Sequence, residues 1–332
     1  MKTRWLPNRK GWRTTIAVAV LAVVWVACDR PTTTEPPAPA RLNPDEFSLM
    51  TFNVGAYGYH DRTGDGQANN PKPDEERAAV IALIAESRPD ILALQEMGGP
   101  TVFETFRKDL AAAGLDYPFT ELLQREQSEK NLALLSRYPI IASYMHTDDA
   151  FSIGDAHVPV QRGFLEADIS INPTYQFRLL VAQLKSKEYH ALGHTEMRRN
   201  EARLLNNHVR RALSREHRLN MLVVGDMNDH VRAAPLRAIM GRNQEYLVDL
   251  RPEDAYGEIW TYYDEDAERY ERFDYMLASP YMVPEYVADK SHILRHPDNK
   301  RASPHRPLVA VFRARDIDPA DTPLLPSYEY EE

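Results

Sequence analysis

One pattern recurs along the chain and restricts its fold more than any other feature. A short apolar run closes on one or two polar residues. "FSLMTFNV" (47–54) carries Asn53 near its end, and "DILALQEM" (90–97) carries Gln95 and Glu96. "FRLLVAQL" (177–184) carries Gln183 and is followed by Lys185. "NMLVVGDM" (220–227) carries Asp226, with Asn228 one step beyond. Runs of this length, bounded by polar residues, read as buried strands. "NLALLSR" (131–137) and "FLEADISI" (164–171) read the same way. Helical periodicity appears between them, in "EERAAVIALIAES" (75–87), in 101–113 and in one long segment, 195–219. Many strands with few helices predict two stacked sheets flanked by helices, in one domain.

The polar strand ends are where a site would be built, because loops at strand ends carry function. A carboxylate there loses solvation and needs a cation or a donor beside it. The candidates offer oxygen ligands. The chain has a single cysteine and no histidine pair at zinc spacing. That combination points to a hard cation such as Mg²⁺. A second feature lies near the C-terminus. Asp274 sits inside the apolar run "RFDYMLAS" (272–279), and His305 follows Pro304 in "SPHRPLVAVF" (303–312), just before another strand-like run.

The ends of the chain read differently. Residues 1–15 hold five basic residues and no acid, and "IAVAVLAVVWVA" (16–27) is apolar but short for a membrane span. The run stops at Cys28, and "VWVAC" resembles a bacterial lipobox, whose cysteine is lipidated after cleavage. Residues 1–28 are therefore expected to be a lipoprotein-type signal peptide, exporting the protein and anchoring it by lipid in the bacterial envelope. Residues 29–46 are Pro/Thr-rich and read as a tether. The folded domain is expected over 47–315, with a loose acidic tail at 316–332. A lone cysteine excludes an internal disulfide framework. Without the five leader bases, 35 basic residues face 49 acidic ones, a balance of −14. Such a surface argues against a general duplex-DNA binder.

With these residues in view, the chain resembles the endonuclease/exonuclease/phosphatase superfamily, the DNase I-like fold. The resemblance rests on "MTFNV" (50–54), "PDILALQEM" (89–97), "NLALLSRYPI" (131–140), "VAQLKS" (181–186), "VVGDMND" (223–229), "RFDYMLAS" and "SPHRPLVAVF", in family order. It implies a four-layer α-β-β-α sandwich and metal-dependent phosphoester hydrolysis, and a monomer is expected. By position, Glu96 would be the main ligand for Mg²⁺ (or Mn²⁺), and Asn53 would hold the metal's water or a phosphate oxygen. Asp226 would orient or deprotonate the attacking water, with Asn228 beside it. His305 would act on the scissile phosphate as base or transition-state stabiliser, and Asp274 would fix its tautomer. Gln183, Lys185, Asn131 and Arg162 are candidates for phosphate contacts. The substrate would be a nucleic acid, a phospholipid headgroup or a small diester, and fold alone does not choose among them.

Two positions depart from the family pattern. Pro304 stands where an Asp usually precedes the final histidine, and it offers no ligand and no N–H. Gln183 stands where a His is usual, and its amide can donate but cannot carry charge. The expected reading is a working hydrolase with a weakened metal site. The alternative is a phosphate- or nucleic-acid-binding pseudoenzyme on the same fold. Two further features read as structural. "DRTGDGQ" (61–67) opens like an EF-hand loop, but its twelfth position is Lys72, not Glu. The long helix carries seven arginines from Arg198 to Arg218, interleaved with acids, beside an apolar stripe of Leu205, Val209, Ala212 and Leu213. It is expected to present a solvated face.

Overall fold

The strand Glu46–Asn53 (β1) is buried along its whole length. Phe47 and Leu49 enter one apolar cluster, and Met50 and Phe52 enter another. Side chains alternate across a strand, so β1 is covered on both faces. The computed structural model describes residues 42–318, apart from 126–127 and 243–244. The expected leader, Cys28 and most of the tether and acidic tail lie outside the described residues.

Eleven further strands build two six-stranded sheets with β1. In chain order they are β2 (Ile91–Met97), β3 (Phe119–Leu123), β4 (Asn131–Ser136), β5 (Ile140–His146), β6 (Phe164–Asn172) and β7 (Tyr175–Gln183). Then come β8 (Met221–Asp226), β9 (Val248–Asp249), β10 (Asp274–Ala278), β11 (His292–Ile293) and β12 (Leu308–Arg313). The first sheet runs β11-β12-β1-β2-β4-β3, and the second β9-β10-β8-β7-β6-β5. Each holds one parallel pair near its centre, β1 with β2 and β7 with β8. Parallel neighbours need a crossover. Helices α1 (Asp74–Ser87) and α3 (His194–Arg215) supply the two crossovers.

The two sheets face each other through Leu49, Ala93 and Leu134 on one side and Leu165, Leu179, Leu222 and Met276 on the other. Helices α1 and α2 (Pro100–Ala112) cover the outer face of the first sheet, with Val80, Leu83 and Phe106 against Phe52 and Leu94. Helices α3 and α4 (Ala234–Met240) cover the second, with Leu205, Val209 and Leu236 against Leu180, Val223 and Tyr275. This is the expected four-layer α-β-β-α sandwich. Each fully buried Leu or Phe contributes about 1.5–3 kcal/mol, which explains why near-continuous apolar runs are needed on doubly covered strands.

Two expectations are corrected. Helix α3 stops at Arg215, short of Leu219, because Glu216 turns to extended backbone at φ −140° and starts the turn into β8. The arginine face is not wholly solvated. Arg203, Arg210, Arg211 and Arg215 are exposed, but Arg198 is only 2% exposed. Arg198 donates to Asp229 Oδ2 at 2.9 Å and to the Lys185 carbonyl at 2.9 Å. It lies one helical turn before Ala202 and two before Leu205, on the stripe that faces the sheet.

Candidate active site

Strand parity explains why the polar ends converge. Asn53 shares its face with Phe47 and Leu49, Gln183 with Leu179 and Val181, Asp226 with Leu222 and Val224, and Asp274 with Met276 and Ala278. All four face the space between the sheets, at the rim where the apolar core stops. The register places Asp226 beside Gln183 on one side and beside Asp274 on the other.

Glu96 has the opposite parity and reaches the same place by a break in its strand. Its φ is +62°, and the β2–β4 ladder shifts register between Leu94 and Met97. Such a bulge re-aims a side chain, and left-handed backbone at a non-glycine residue costs about 1–3 kcal/mol. The result is a carboxylate with three donors: Gln183 Nε2 to Oε1 at 2.8 Å, and Ala56 N and Lys130 Nζ to Oε2 at 2.9 and 3.1 Å. Asn228 also has positive φ, +53°. Its backbone N–H donates to Asp226 Oδ1 at 3.0 Å, and its Nδ2 lies 3.0 Å from both Asp226 Oδ2 and the Leu184 carbonyl.

Asp226 is the hub. Besides Asn228, its Oδ2 accepts from Asn53 Nδ2 at 3.0 Å and Gln183 Nε2 at 3.3 Å. His305 Nε2 lies 3.8 Å from the same oxygen, and His305 Nδ1 lies 2.8 Å from Asp274 Oδ2. The Asp274 and Phe273 N–H groups both donate to Thr261 Oγ1 at 3.0 Å. Ser303 Oγ donates to the Asn53 carbonyl at 2.7 Å and accepts from His305 N at 3.1 Å, tying the end of β1 to the segment that leads into β12. The Tyr262 ring packs 4.8 Å from the His305 ring.

The charges separate the roles. Burial alone would lower the His305 pKa, but the Asp274 and Asp226 carboxylates outweigh it and lift it to about 9. Burial raises Asp226 above the usual carboxylate range, with Asp274 and Glu96 adding to it and His305 opposing. Burial would raise Glu96 too, but Lys130, Arg162 and the Gln183 bond prevail and bring it to about 2. The rim therefore holds a fixed anion, a proton acceptor nearer neutrality and an imidazolium, the separation that acid–base sites require.

The residues present fit a divalent cation. Glu96 stays ionised, and its rim-side partner is the ammonium of Lys130. Asp226 and Asp274 bring carboxylate oxygens within 4.8 Å of each other at the same rim. Among the described residues, Asp274 Oδ1 and Gln183 Oε1 are buried acceptors without a partner, and Asn131 Nδ2 and Arg162 Nε are buried donors without one. Unpartnered buried polar atoms are uncommon. Unused acceptors suit a cation or its water, and unused donors suit a phosphate oxygen.

The weaker candidates divide. Asn131 pairs across from Met97, next to Glu96, and accepts from Arg125 N at 3.3 Å. Arg162 contributes its charge to Glu96 while donating to Gln161 Oε1 at 2.7 Å. Lys185 turns elsewhere, with Nζ at 3.0 Å from Ser186 Oγ and 3.3 Å from the Glu188 carbonyl. Pro304 is exposed and supplies only its carbonyl, to Tyr263 N at 3.0 Å. A cavity of about 730 Å³ opens beside it, lined by Trp260, Tyr262, Tyr263, Tyr270, Arg295 and Lys300 among others. Sequence reasoning missed Lys130, Thr261, Tyr262 and Ser303. Ser303 stood within a quoted motif, while Thr261 and Tyr262 carry no local signal. In the EF-hand-like loop, Asp61 accepts from the Gly64, Asp65 and Gly66 N–H groups, so its carboxylate is used by its own turn. Lys72 is buried and donates to the Gly55 carbonyl at 2.9 Å.

Comparison with known proteins agrees with this fold. The sequence profile described as the Endonuclease/Exonuclease/phosphatase family matches residues 50–305. The beta toxin of Staphylococcus aureus superposes with a TM-score of 0.59 at 15% identity, covering 80% of this chain and 99% of that one. The human Nocturnin catalytic domain gives 0.57 at 18% identity, covering 81% and 94%. Sphingomyelinase C of Streptomyces griseocarneus gives 0.55 at 13% identity, covering 80% and 99%. No curated protein sequence matches significantly. A shared fold at such low identity carries no activity with it, but the profile spans most of the chain, strand ends and closing histidine included. The chain belongs to the Endonuclease/Exonuclease/phosphatase family.

Proposed function

We propose that the chain is a metal-dependent phosphoester hydrolase acting on a phosphodiester. The observation that supports it best is His305, with one ring nitrogen 2.8 Å from Asp274 and the other 3.8 Å from Asp226. Glu96, with Asn53 beside it, would hold Mg²⁺ or Mn²⁺, which when bound polarises the phosphoryl group and offsets its charge. Arg162 and Asn131 hold the phosphate through their unused N–H groups. Asp226 takes the proton of the attacking water, which Asn228 helps to orient. His305, kept protonated by Asp274, donates a hydrogen bond from Nε2 to the phosphoryl oxygen as charge builds there, and the P–O bond opposite the water breaks, its leaving oxygen taking a proton from solvent. The aromatic cavity beside Pro304, lined by both acids and bases, receives the rest of the substrate. Nucleic acid, phospholipid headgroup and small diester are the candidate classes, and a sphingomyelinase among the structural neighbours supports including the lipid.

A binding module without turnover is the second reading, favoured by the neutral Gln183 and by Pro304. Hydrolysis of bis(p-nitrophenyl) phosphate with Mg²⁺ separates the two. The enzyme reading requires His305→Ala and Glu96→Ala to lose the activity of the wild type. Equal rates in all three proteins would leave only binding. A panel of linear DNA, plasmid, RNA, phospholipid and nucleotide esters would then assign the substrate.

The protein is further proposed to be exported and lipid-anchored through Cys28, acting as a monomer. No helix among the described residues is long and apolar enough to cross a membrane. Cys28→Ser should release the protein from the membrane fraction. Retention there would reject the lipid anchor.

A further inference from the structure

A second cluster of ligating side chains lies on the other face of the second sheet. His146 ends β5 and pairs with Phe164, whose side chain packs in the cluster under α3. His208 comes from α3, Asp149 from the loop after β5, and Glu166 from β6. Gln183 and the candidate active site lie on the inward face, so the two groups are separated by the sheet.

The geometry is that of a built site. His146, Asp149 and His208 offer ligand atoms that all lie within 4.8 Å of one another. His208 Nε2 lies 2.6 Å from Asp149 Oδ2, and His146 Nε2 lies 2.8 Å from Glu166 Oε2. The two imidazole rings lie with centroids 3.9 Å apart and their planes tilted by 36°. His208 is buried, and the Asp149 backbone is fixed by Val160 N donating to its carbonyl at 2.8 Å.

One arginine serves more than one acid here. Arg178 is forked onto Asp168, at 2.7 and 2.8 Å, and also reaches Glu166 at 3.2 Å. Arg178 is thus shared between Asp168 and Glu166, and Asp149 and Glu166 face two imidazoles. Protonating both rings would set two like charges at van der Waals distance, which is unfavourable. Neutral imidazoles and one divalent ion satisfy all four groups. Two imidazoles and a carboxylate form a borderline-soft set suited to Zn²⁺ rather than Mg²⁺. A second carboxylate bonded to a ring nitrogen is the usual partner of a ligating histidine.

We propose that His146, His208 and Asp149, with Glu166 orienting His146, form a Zn²⁺ site that ties α3 to the β5 edge of the second sheet. The site is independent of the active-site cation and of the hydrolase reading.

The test uses purified, chelator-stripped protein titrated with Zn²⁺ alone, in the Glu96→Gln background so that the active site is disarmed. The expected result is one equivalent of tightly bound Zn²⁺, lost in His208→Gln and in His146→Gln, each of which keeps a hydrogen-bonding group. Saturation should raise Tm by roughly 5 °C, and the histidine variants should show no rise. Co²⁺ in place of Zn²⁺ should give visible d–d absorption that the histidine substitutions abolish. Equal Zn²⁺ stoichiometry with and without the two histidines would overturn the proposal, as would a Co²⁺ spectrum that they leave unchanged.

Discussion

Gln183 Nε2 lies 2.8 Å from Glu96 Oε1, and the same nitrogen lies 3.3 Å from Asp226 Oδ2. One neutral amide thus spans the fixed anion and the proton acceptor, each from a different sheet. Removing it leaves two buried carboxylates facing each other with one donor fewer. Lost hydrogen bonds to charged groups cost about 1.5–3 kcal/mol. Gln183→Ala should therefore lower kcat/KM by roughly 10–100-fold and raise the acid limb of the pH–rate profile. An unchanged profile would show that the amide does not set the charge of either acid.

The His305 charge should be visible in stability. Its ordinary value is 6.5 and its folded value is raised to about 9. A raised base binds its proton more tightly when folded, so the stabilisation is complete below about pH 6.5 and is lost as pH rises through 9. At most it is on the order of 3 kcal/mol. In chelator, the Tm advantage of wild type over His305→Gln should shrink steadily across that window. Asp274→Asn should remove most of it, because Asp274 is the main source of the shift. A pH-independent difference would mean that His305 is neutral in the folded protein.

Gly225 is a point where the fold tolerates no side chain. Its φ is +129°, and a Cβ there would sit 2.0 Å from the Ala182 carbonyl oxygen of the neighbouring strand. Gly225→Ala must push β7 and β8 apart next to Asp226 and Gln183. A loss of about 4 kcal/mol or more is expected from backbone strain of this kind, read by denaturant unfolding. Gly64, with φ +75° but nothing within 4 Å of a Cβ, is the control, and Gly64→Ala should cost far less.

Much of this was legible because strand parity is local. Asn53 sits four and six residues from Leu49 and Phe47, and Asp226 two and four from Val224 and Leu222, all on the same face, so their destination follows from the alternation itself. Asp274 and His305 could be paired once the family resemblance ordered the motifs. Glu96 could be named but not placed, because its parity points to the wrong face and only the bulge at φ +62° corrects it. The Lys130 contact with Glu96 and the Thr261 contact with Asp274 join residues far apart in sequence, and neither has a periodic signature. Arg198 was misjudged because an arginine in a charged helix looks solvated. Its burial depends on Asp229, which only the fold brings near.

Pro304 supplies the last prediction. It is exposed, directly precedes His305, and stands opposite Gly55 at the rim. Its side chain adds no oxygen to the acid set. If the cation held by Glu96 is short of one ligand, Pro304→Asp should supply it and lower the Mg²⁺ concentration for half-maximal activity, by roughly tenfold for one added charge-assisted contact. The Tyr263 N–H bond to the residue 304 carbonyl does not involve the side chain and should survive. Glu96→Gln should move the titration the opposite way, with a fall in maximal rate. Coincident Mg²⁺ titrations for wild type and Pro304→Asp would show that this strand end is not aimed at the metal, and that the missing carboxylate has no vacancy to fill.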